Sequence, residues 1–177
     1  RIIIMSELSW IAKARTYIGL KETKGPRHTQ TILKFLDLCF KATGVKSFIK
    51  DDETPWCGTF VGGVLVECGL AKHLPKPHFY RALEWNKVGT KLARPAYGSV
   101  AVLSRKGGGH VGFVVGKDRF GNIMLLGGNQ GDEVNIKPFH PSRIVGYRWC
   151  GTQPIPADHR YNLPVLHSNG KVSTNEA

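Results

Sequence analysis

The first half of the chain carries apolar residues at helical spacing. Four segments place an apolar side chain at every third or fourth position, a pattern typical of helices that bury one face. The predicted ranges are residues 6–18, 29–43, 54–68 and 79–86. A glycine follows each of the first three, as is common where helices end. For the third helix we expect Thr54 as the N-cap and Pro55 in the first turn.

After Pro95 the pattern changes to short apolar runs separated by glycine-rich or charged turns. The predicted strands are residues 99–103, 111–115, 123–126, 134–136 and 144–149. Connections this short suit hairpins, so the sheet should be antiparallel. The sequence therefore predicts an α+β fold, with N-terminal helices packed on a C-terminal antiparallel β-sheet. We expect residues 1–150 to form a single catalytic domain and residues 151–177, which include three prolines, to form an extended arm and a loose tail.

The charge balance points to an anionic partner. The 177 residues include 25 Lys and Arg against 13 Asp and Glu, which gives a net charge of +12. These basic residues are scattered, with no basic run and no aromatic-rich RNA-binding signature, so nucleic acid is not the expected partner. Bacterial wall polymers and lipid headgroups are equally anionic. Stable membrane insertion is not expected, since no apolar segment is long enough.

The N-terminus and the cysteines indicate the compartment. The apolar run at Ile2–Ile4 is too short for a signal peptide, so we expect synthesis in the cytoplasm without an export signal. The four cysteines are too sparse for a disulfide scaffold and lack the spacing of a zinc site. His73 and His78 are also one residue too far apart for a helical metal-binding pair. No metal and no cofactor are expected.

Cys57 is the candidate nucleophile. It falls in the first turn of the third predicted helix, where unpaired backbone N–H groups and the helix dipole favour a thiolate. The alternative is that Cys57 is a small buried residue, as free cysteines often are. The other cysteines fit that alternative better, since each lies in an apolar stripe or at a strand end. They are Cys39, Cys68 and Cys150.

His110 is the candidate base. It follows three glycines and opens an apolar strand, so the sheet would hold the imidazole while the glycines allow a substrate to approach. The other histidines lie in polar or proline-containing connections and are expected to be solvated. They are His28, His73, His78, His140, His159 and His167.

A polar segment, Gly127–Asp132, follows the third predicted strand. A carboxamide or carboxylate there can accept a hydrogen bond from the far imidazole nitrogen and fix its tautomer. Taken alone, the segment is equally typical of a plain turn.

The order of these motifs resembles the CHAP-like branch of the NlpC/P60 cysteine peptidases over about residues 50 to 150. The matching segments are Thr54–Val61, Ala82–Trp85, Pro95–Val102, Gly109–Gly116, Leu126–Gln130 and Gly146–Trp149. The resemblance implies a papain-like fold in which Cys57 attacks an amide carbonyl, His110 is the base and a thioester is the intermediate. It also makes Trp56 and Gln130 candidate substrate-binding residues.

Two positions depart from the family pattern. Ser99 stands where many relatives have Asp, and Gly127 stands where typical CHAP sequences have the orienting Glu. We therefore expect the orienting role to pass to Asn129, with Asp132 as its competitor.

The activity implied by the resemblance is hydrolysis of peptidoglycan, at a stem or cross-link peptide bond or at the N-acetylmuramoyl-L-alanine amide. A phage endolysin is the expected setting: a monomer made in the host cytoplasm that acts on the cell wall. One alternative is an interbacterial amidase toxin, which would have an immunity protein as partner. Another is a non-catalytic wall-binding or phage structural module, which the loss of Glu at Gly127 leaves open.

Overall fold

A computed structural model describes residues 7–24, 29–46 and 55–174. Three helices come first: α1 (Ser9–Arg15), α2 (Gln30–Thr43) and α3 (Cys57–Glu67). Six strands follow: β1 (Thr90–Leu92), β2 (Val100–Arg105), β3 (Gly108–Lys117), β4 (Ile123–Gly127), β5 (Asn135–Phe139) and β6 (Ile144–Trp149). The fold is α+β, with the helices packed on the sheet, as the sequence predicted.

The helix ends agree with the sequence pattern only in part. Helix α2 has the expected bounds and ends at Gly44, whose φ of 71° is left-handed. Helix α3 begins later than predicted, at Cys57 with Trp56 as N-cap, so the placement of Pro55 in its first turn was wrong. Helix α1 is shorter than the predicted range of residues 6–18, since Glu7 and Leu8 are not helical and the helix ends at Arg15. Ser6 and the expected N-cap Thr54 lie outside the described residues. The fourth helix is a 3-10 segment, Ala82–Lys87.

All six strands form one antiparallel sheet in the order β1-β6-β2-β3-β4-β5. The five predicted strands are present, and β3 lies between β2 and β4 in the sheet. The sequence analysis missed β1, a three-residue edge strand in which only Leu92 is buried. So short a strand carries no readable alternation of polar and apolar residues.

Helix α3 occupies the centre of the molecule. Every residue from Cys57 to Leu65 is buried, because one side of α3 packs on β3 while α1 and α2 cover the other sides. The main core lies between these helices and one face of the sheet, where Val111, Phe113 and Val115 project from β3. Burial on all sides fixes the position of the N-terminus of α3 over the sheet.

The second face of the sheet carries a smaller apolar cluster that the C-terminal arm helps to cover. Leu163 packs against this cluster, and Val165 forms a parallel bridge with Lys117 at the end of β3. Further on, Ser168 Oγ donates a hydrogen bond of 2.6 Å to the buried carboxylate of Asp118. The arm is therefore packed on the sheet as far as the described residues extend. Among those residues, none of the helices has the length and apolar character needed to span a membrane.

Candidate active site

Cys57 is the first residue of α3, and its thiol lies against β3. The backbone N–H groups of Val111, Gly58 and Cys57 lie near Sγ and favour its thiolate form. The N–H groups of the first helical turn have no partner inside the helix, which leaves two of them available to the sulfur. Val111 directly follows His110 in β3, so the thiol lies near the backbone of the residue next to the predicted base.

Gly58 allows the start of α3 to pack closely against the segment around Phe79. A Cβ at this position would lie 2.6 Å from the carbonyl oxygen of Phe79. The same oxygen accepts a hydrogen bond of 2.8 Å from Trp85 Nε1. Trp85 is completely buried, as expected of a core residue. This close packing fixes the segment that forms one wall of the cavity in front of Cys57.

His110 is completely buried on β3. Its ring stacks on Phe139 of β5, with the ring centroids 5.3 Å apart and the planes at 16°. Its Nε2 lies 3.0 Å from Oε1 of Gln130. Stacking restrains the plane of the imidazole and the hydrogen bond restrains its rotation, so the ring is held in one orientation.

The carboxamide of Gln130 is oriented by its own hydrogen bonds. Its Nε2 donates to the carbonyl oxygens of Leu125 and Asn135, at 3.2 and 3.0 Å, and to Asn135 Oδ1 at 2.9 Å. Oε1 is therefore the atom that faces His110, and it can only accept. The proton of a neutral imidazole then lies on Nε2, which leaves Nδ1 as the basic nitrogen.

Gly127 provides the space that Gln130 occupies. A Cβ at position 127 would overlap Oε1 of Gln130 and would lie 3.4 Å from Nε2 of His110. Any side chain at position 127, including the Glu that CHAP sequences have there, would take the space of the Gln130 carboxamide beside the imidazole. The sequence pattern marked Gly127 as a departure but did not predict that Gln130 contacts His110.

Three residues named from the sequence are buried in the structure. Gln130 and Trp56, expected at the substrate, are each only 1% exposed, so neither side chain offers a surface to a ligand in this structure. Trp56 Nε1 donates to Glu22 Oε2 at 3.2 Å, and the indole packs under Gly128. Asn129, the expected orienting residue, is buried with a left-handed φ of 59°. Asparagine tolerates this conformation better than most residues, which gives Asn129 a backbone role in the turn.

A cavity of about 420 Å³ opens in front of Cys57. One wall is the segment around the 3-10 turn and the other is the hairpin between β2 and β3. Its lining residues are Pro55, Cys57, Tyr80, Arg81, Ala82, Leu83, Glu84, Arg105, Gly107, Gly108 and Gly109. The three glycines that precede His110 in the sequence therefore line this cavity, as expected of positions where a substrate approaches.

Burial raises the pKa of the Cys57 thiol, because a buried thiolate loses its hydration. The N–H groups of Val111, Gly58 and Cys57 and the positive charge of Arg105 act in the opposite direction. Burial is the largest of these effects, so the direction is opposite to the one expected from the helix terminus alone. A protonated resting thiol must transfer its proton to a base before it can attack.

All four cysteines are free thiols. Burial raises the pKa of Cys39, and it raises that of Cys150 to about 12. Cys68, at the far end of α3, is half-buried. Within residues 7–24, 29–46 and 55–174, no three His, Cys, Asp or Glu side chains are grouped in a way that could hold a metal ion.

Comparisons of this chain with protein-family models, with curated proteins and with solved structures gave no match. A functional assignment therefore depends on the geometry around Cys57 and on the sequence motifs.

Proposed function

We propose that this protein is a papain-like cysteine amidase of the CHAP and NlpC/P60 type that hydrolyses amide bonds in bacterial peptidoglycan. The observation that carries the proposal is the arrangement around Cys57. Its Sγ lies at a helix start near the backbone N–H of Val111, the residue that follows His110, and His110 Nε2 is bound by Gln130. A nucleophile, an adjacent base and a third group that orients the base are the elements of covalent amide hydrolysis.

The proposed reaction has two halves. His110 Nδ1 takes the thiol proton as Cys57 Sγ forms a bond to the amide carbonyl carbon. The C–N bond then breaks, the amine leaves with the proton from His110, and a thioester remains on Cys57. In the second half His110 takes a proton from water, whose oxygen attacks the thioester. The products are a carboxylic acid and the restored thiol.

The backbone N–H groups at the start of α3 are suited to stabilise the tetrahedral intermediates. Those of Gly58 and Cys57 lie near the sulfur and favour negative charge there, close to where the carbonyl oxygen of a bound amide would carry negative charge. Fixed donors aimed at a developing oxyanion are among the largest contributors to such catalysis, about 3 kcal/mol for each donor.

The substrate class is supported by charge and by the motifs. A net charge of +12 suits an enzyme that works on an anionic wall. Relatives of the kind that the motifs resemble are common among phage endolysins, and we propose this setting, with peptidoglycan as partner and the cell wall as the site of action.

The test is digestion of purified sacculi, with the released muropeptides identified by mass spectrometry. We expect the unaltered protein to release fragments with new termini at one type of amide bond and Cys57→Ala to release none while remaining folded. Cys68→Ala is the matched control, because it removes a thiol from the other end of the same helix. Fragment release by Cys57→Ala at the rate of the unaltered protein, or no release by the latter, would contradict the proposal.

A further inference from the structure

The cavity in front of Cys57 contains a cation from the β2–β3 hairpin. Arg105 is the last residue of β2 and pairs with Gly108 across the turn. Its Nε donates a long hydrogen bond of 3.4 Å to the carbonyl oxygen of Gly109, which directs the guanidinium along the cavity wall. Its charge also acts on the Cys57 thiol. Arg105 is therefore a cavity residue rather than a solvated surface charge.

The carboxylate in the same cavity has another partner. Glu84 accepts hydrogen bonds from Lys87 Nζ at 3.0 and 3.1 Å. Among the residues that the structure describes, no carboxylate lies within ion-pair distance of Arg105. A guanidinium presents planar paired donors that match a carboxylate, and none of the described residues forms a hydrogen bond with the two Nη groups of Arg105.

The spacing along β3 sets the distance between this cation and the nucleophile. Arg105 is hydrogen-bonded to Gly109, and the thiol lies near the N–H of Val111, two residues further along the strand. Two residues of an extended strand span roughly 7 Å. A carboxylate bound by Arg105 would therefore lie within about two residues of the amide carbonyl that Cys57 attacks.

We propose that Arg105 binds a free carboxylate of the substrate, so that the site selects amide bonds with an unamidated carboxylate within two residues. This inference deepens the proposed function, on which it rests for the nature of the substrate. The apolar rim of the cavity, where Leu83 is 44% exposed, would contact the aliphatic part of the same peptide.

The test measures binding without turnover, in the Cys57→Ala background. The probes are three synthetic stem peptides of the sequence L-alanyl-γ-D-glutamyl-L-lysine. The first has both carboxyls amidated, the second has only the glutamate α-carboxyl free, and the third has only the C-terminal carboxyl free. Dissociation constants come from isothermal titration or NMR titration at low salt, where surface charge pairs are least screened.

We expect one of the two acids to bind about tenfold more tightly than the diamide, the usual strength of a charge-assisted hydrogen-bonded pair. Arg105→Gln should remove this preference. Lys106→Gln, which removes the same charge from the neighbouring residue outside the cavity lining, should retain it. Thermal unfolding of both variants verifies that they remain folded.

Equal dissociation constants for the three peptides, a preference that survives Arg105→Gln, or no binding of any peptide would overturn the inference. The digestion of sacculi is a separate measurement. Wall hydrolysis without carboxylate preference would leave the proposed function intact and reject the role of Arg105. Carboxylate-selective binding by a protein that does not digest sacculi would support the role of Arg105 and reject the proposed function.

Discussion

Gln130 Oε1 lies 3.0 Å from His110 Nε2, and three hydrogen bonds of the Gln130 amino group hold it there. The imidazole is thus oriented by a neutral acceptor in a completely buried position. A neutral amide fixes the tautomer without adding a full negative charge to the site. We therefore propose Gln130 as the positioning residue of the dyad, in the role that the sequence analysis gave to Asn129.

Gln130→Ala should lower kcat on a soluble muropeptide by about one to three powers of ten, because the base loses its orientation but not its chemistry. Urea unfolding should show a folded protein with modestly reduced stability. Asn129→Ala and Asp132→Ala are the comparison variants at the two positions named from the sequence. If Asn129→Ala or Asp132→Ala is nearly inactive while Gln130→Ala turns over normally, the role belongs to that residue instead.

Gly127→Ala should also reduce turnover, since the new methyl group would overlap Oε1 of Gln130 and displace it from His110. The double variant Gly127→Ala/Gln130→Ala separates this cause from general damage. If Gly127→Ala acts by displacing the carboxamide, it should cost little further activity once the carboxamide is gone, so the two effects should not add. Fully additive losses would show that Gly127 acts through something other than Gln130.

Stability should fall as the pH rises above about 8.5, where thiols of an unfolded chain begin to ionise. Burial raises the pKa of Cys39, and that of Cys150 to about 12, so the folded protein keeps protons that the unfolded chain loses. A thiol whose pKa is raised in the folded state contributes its full stability to the fold at pH values below its pKa in the unfolded chain. This contribution is lost as the pH increases. Each such thiol should reduce the free energy of unfolding by about 1.4 kcal/mol per pH unit in this window.

The measurement is urea unfolding under reducing conditions between about pH 8.5 and 10. Burial also raises the pKa of Tyr17 and Tyr147, which contribute to the slope in the upper part of this range, so the comparison with Cys150→Ala isolates the thiol. Cys150→Ala should give a shallower slope, because one of the titrating thiols is absent. An unchanged slope in that variant would show that Cys150 is not protonated in the folded state at these pH values.

Salt should weaken wall binding more than peptide cleavage. If the net charge of +12 attracts the protein to the anionic wall over a distance, binding to sacculi should decrease between low salt and about 0.5 M salt. Cleavage of a small soluble muropeptide depends on contacts inside the cavity and should change much less. Equal salt sensitivity of the two would show that the surface charge does not target the wall.

The spacing of apolar residues predicted the overall architecture because burial of the core imposes that spacing. Helix α2, the long apolar strand β3 and the helix that carries Cys57 follow from residues that pack on one another whatever the local details. The start of α3 was not predicted correctly. Thr54 and Pro55 suggested a local cap, whereas tertiary packing sets the first turn at Cys57. The direction of the Cys57 pKa was wrong for a related reason, because burial in the complete fold outweighs the local helix terminus.

The motifs drew attention to Cys57 and His110 but did not predict that Gln130 contacts the imidazole. Asn129 and Gln130 are adjacent amides at the end of β4, and their sequence gives no sign of which one points at the imidazole. The left-handed backbone at Asn129 decides the direction of the chain there, and such a conformation is set by the turn as a whole. Arg105 was equally hidden, since a single arginine at a strand end has no pattern that marks it as a cavity residue.

The packed C-terminal arm determines where the protein can be truncated or fused to another domain. Residues up to Ser173 remain attached to the sheet, where the Ser173 N–H donates to the Pro138 carbonyl oxygen at 2.8 Å. The arm contacts the apolar cluster that contains Phe139, the ring on which His110 rests. A minimal catalytic fragment that stopped at the end of β6 would leave that ring more open to water. A chimaera with a foreign wall-binding module should therefore be joined beyond Ser173, and a linker inserted earlier would loosen the support of the base rather than merely shorten a tail.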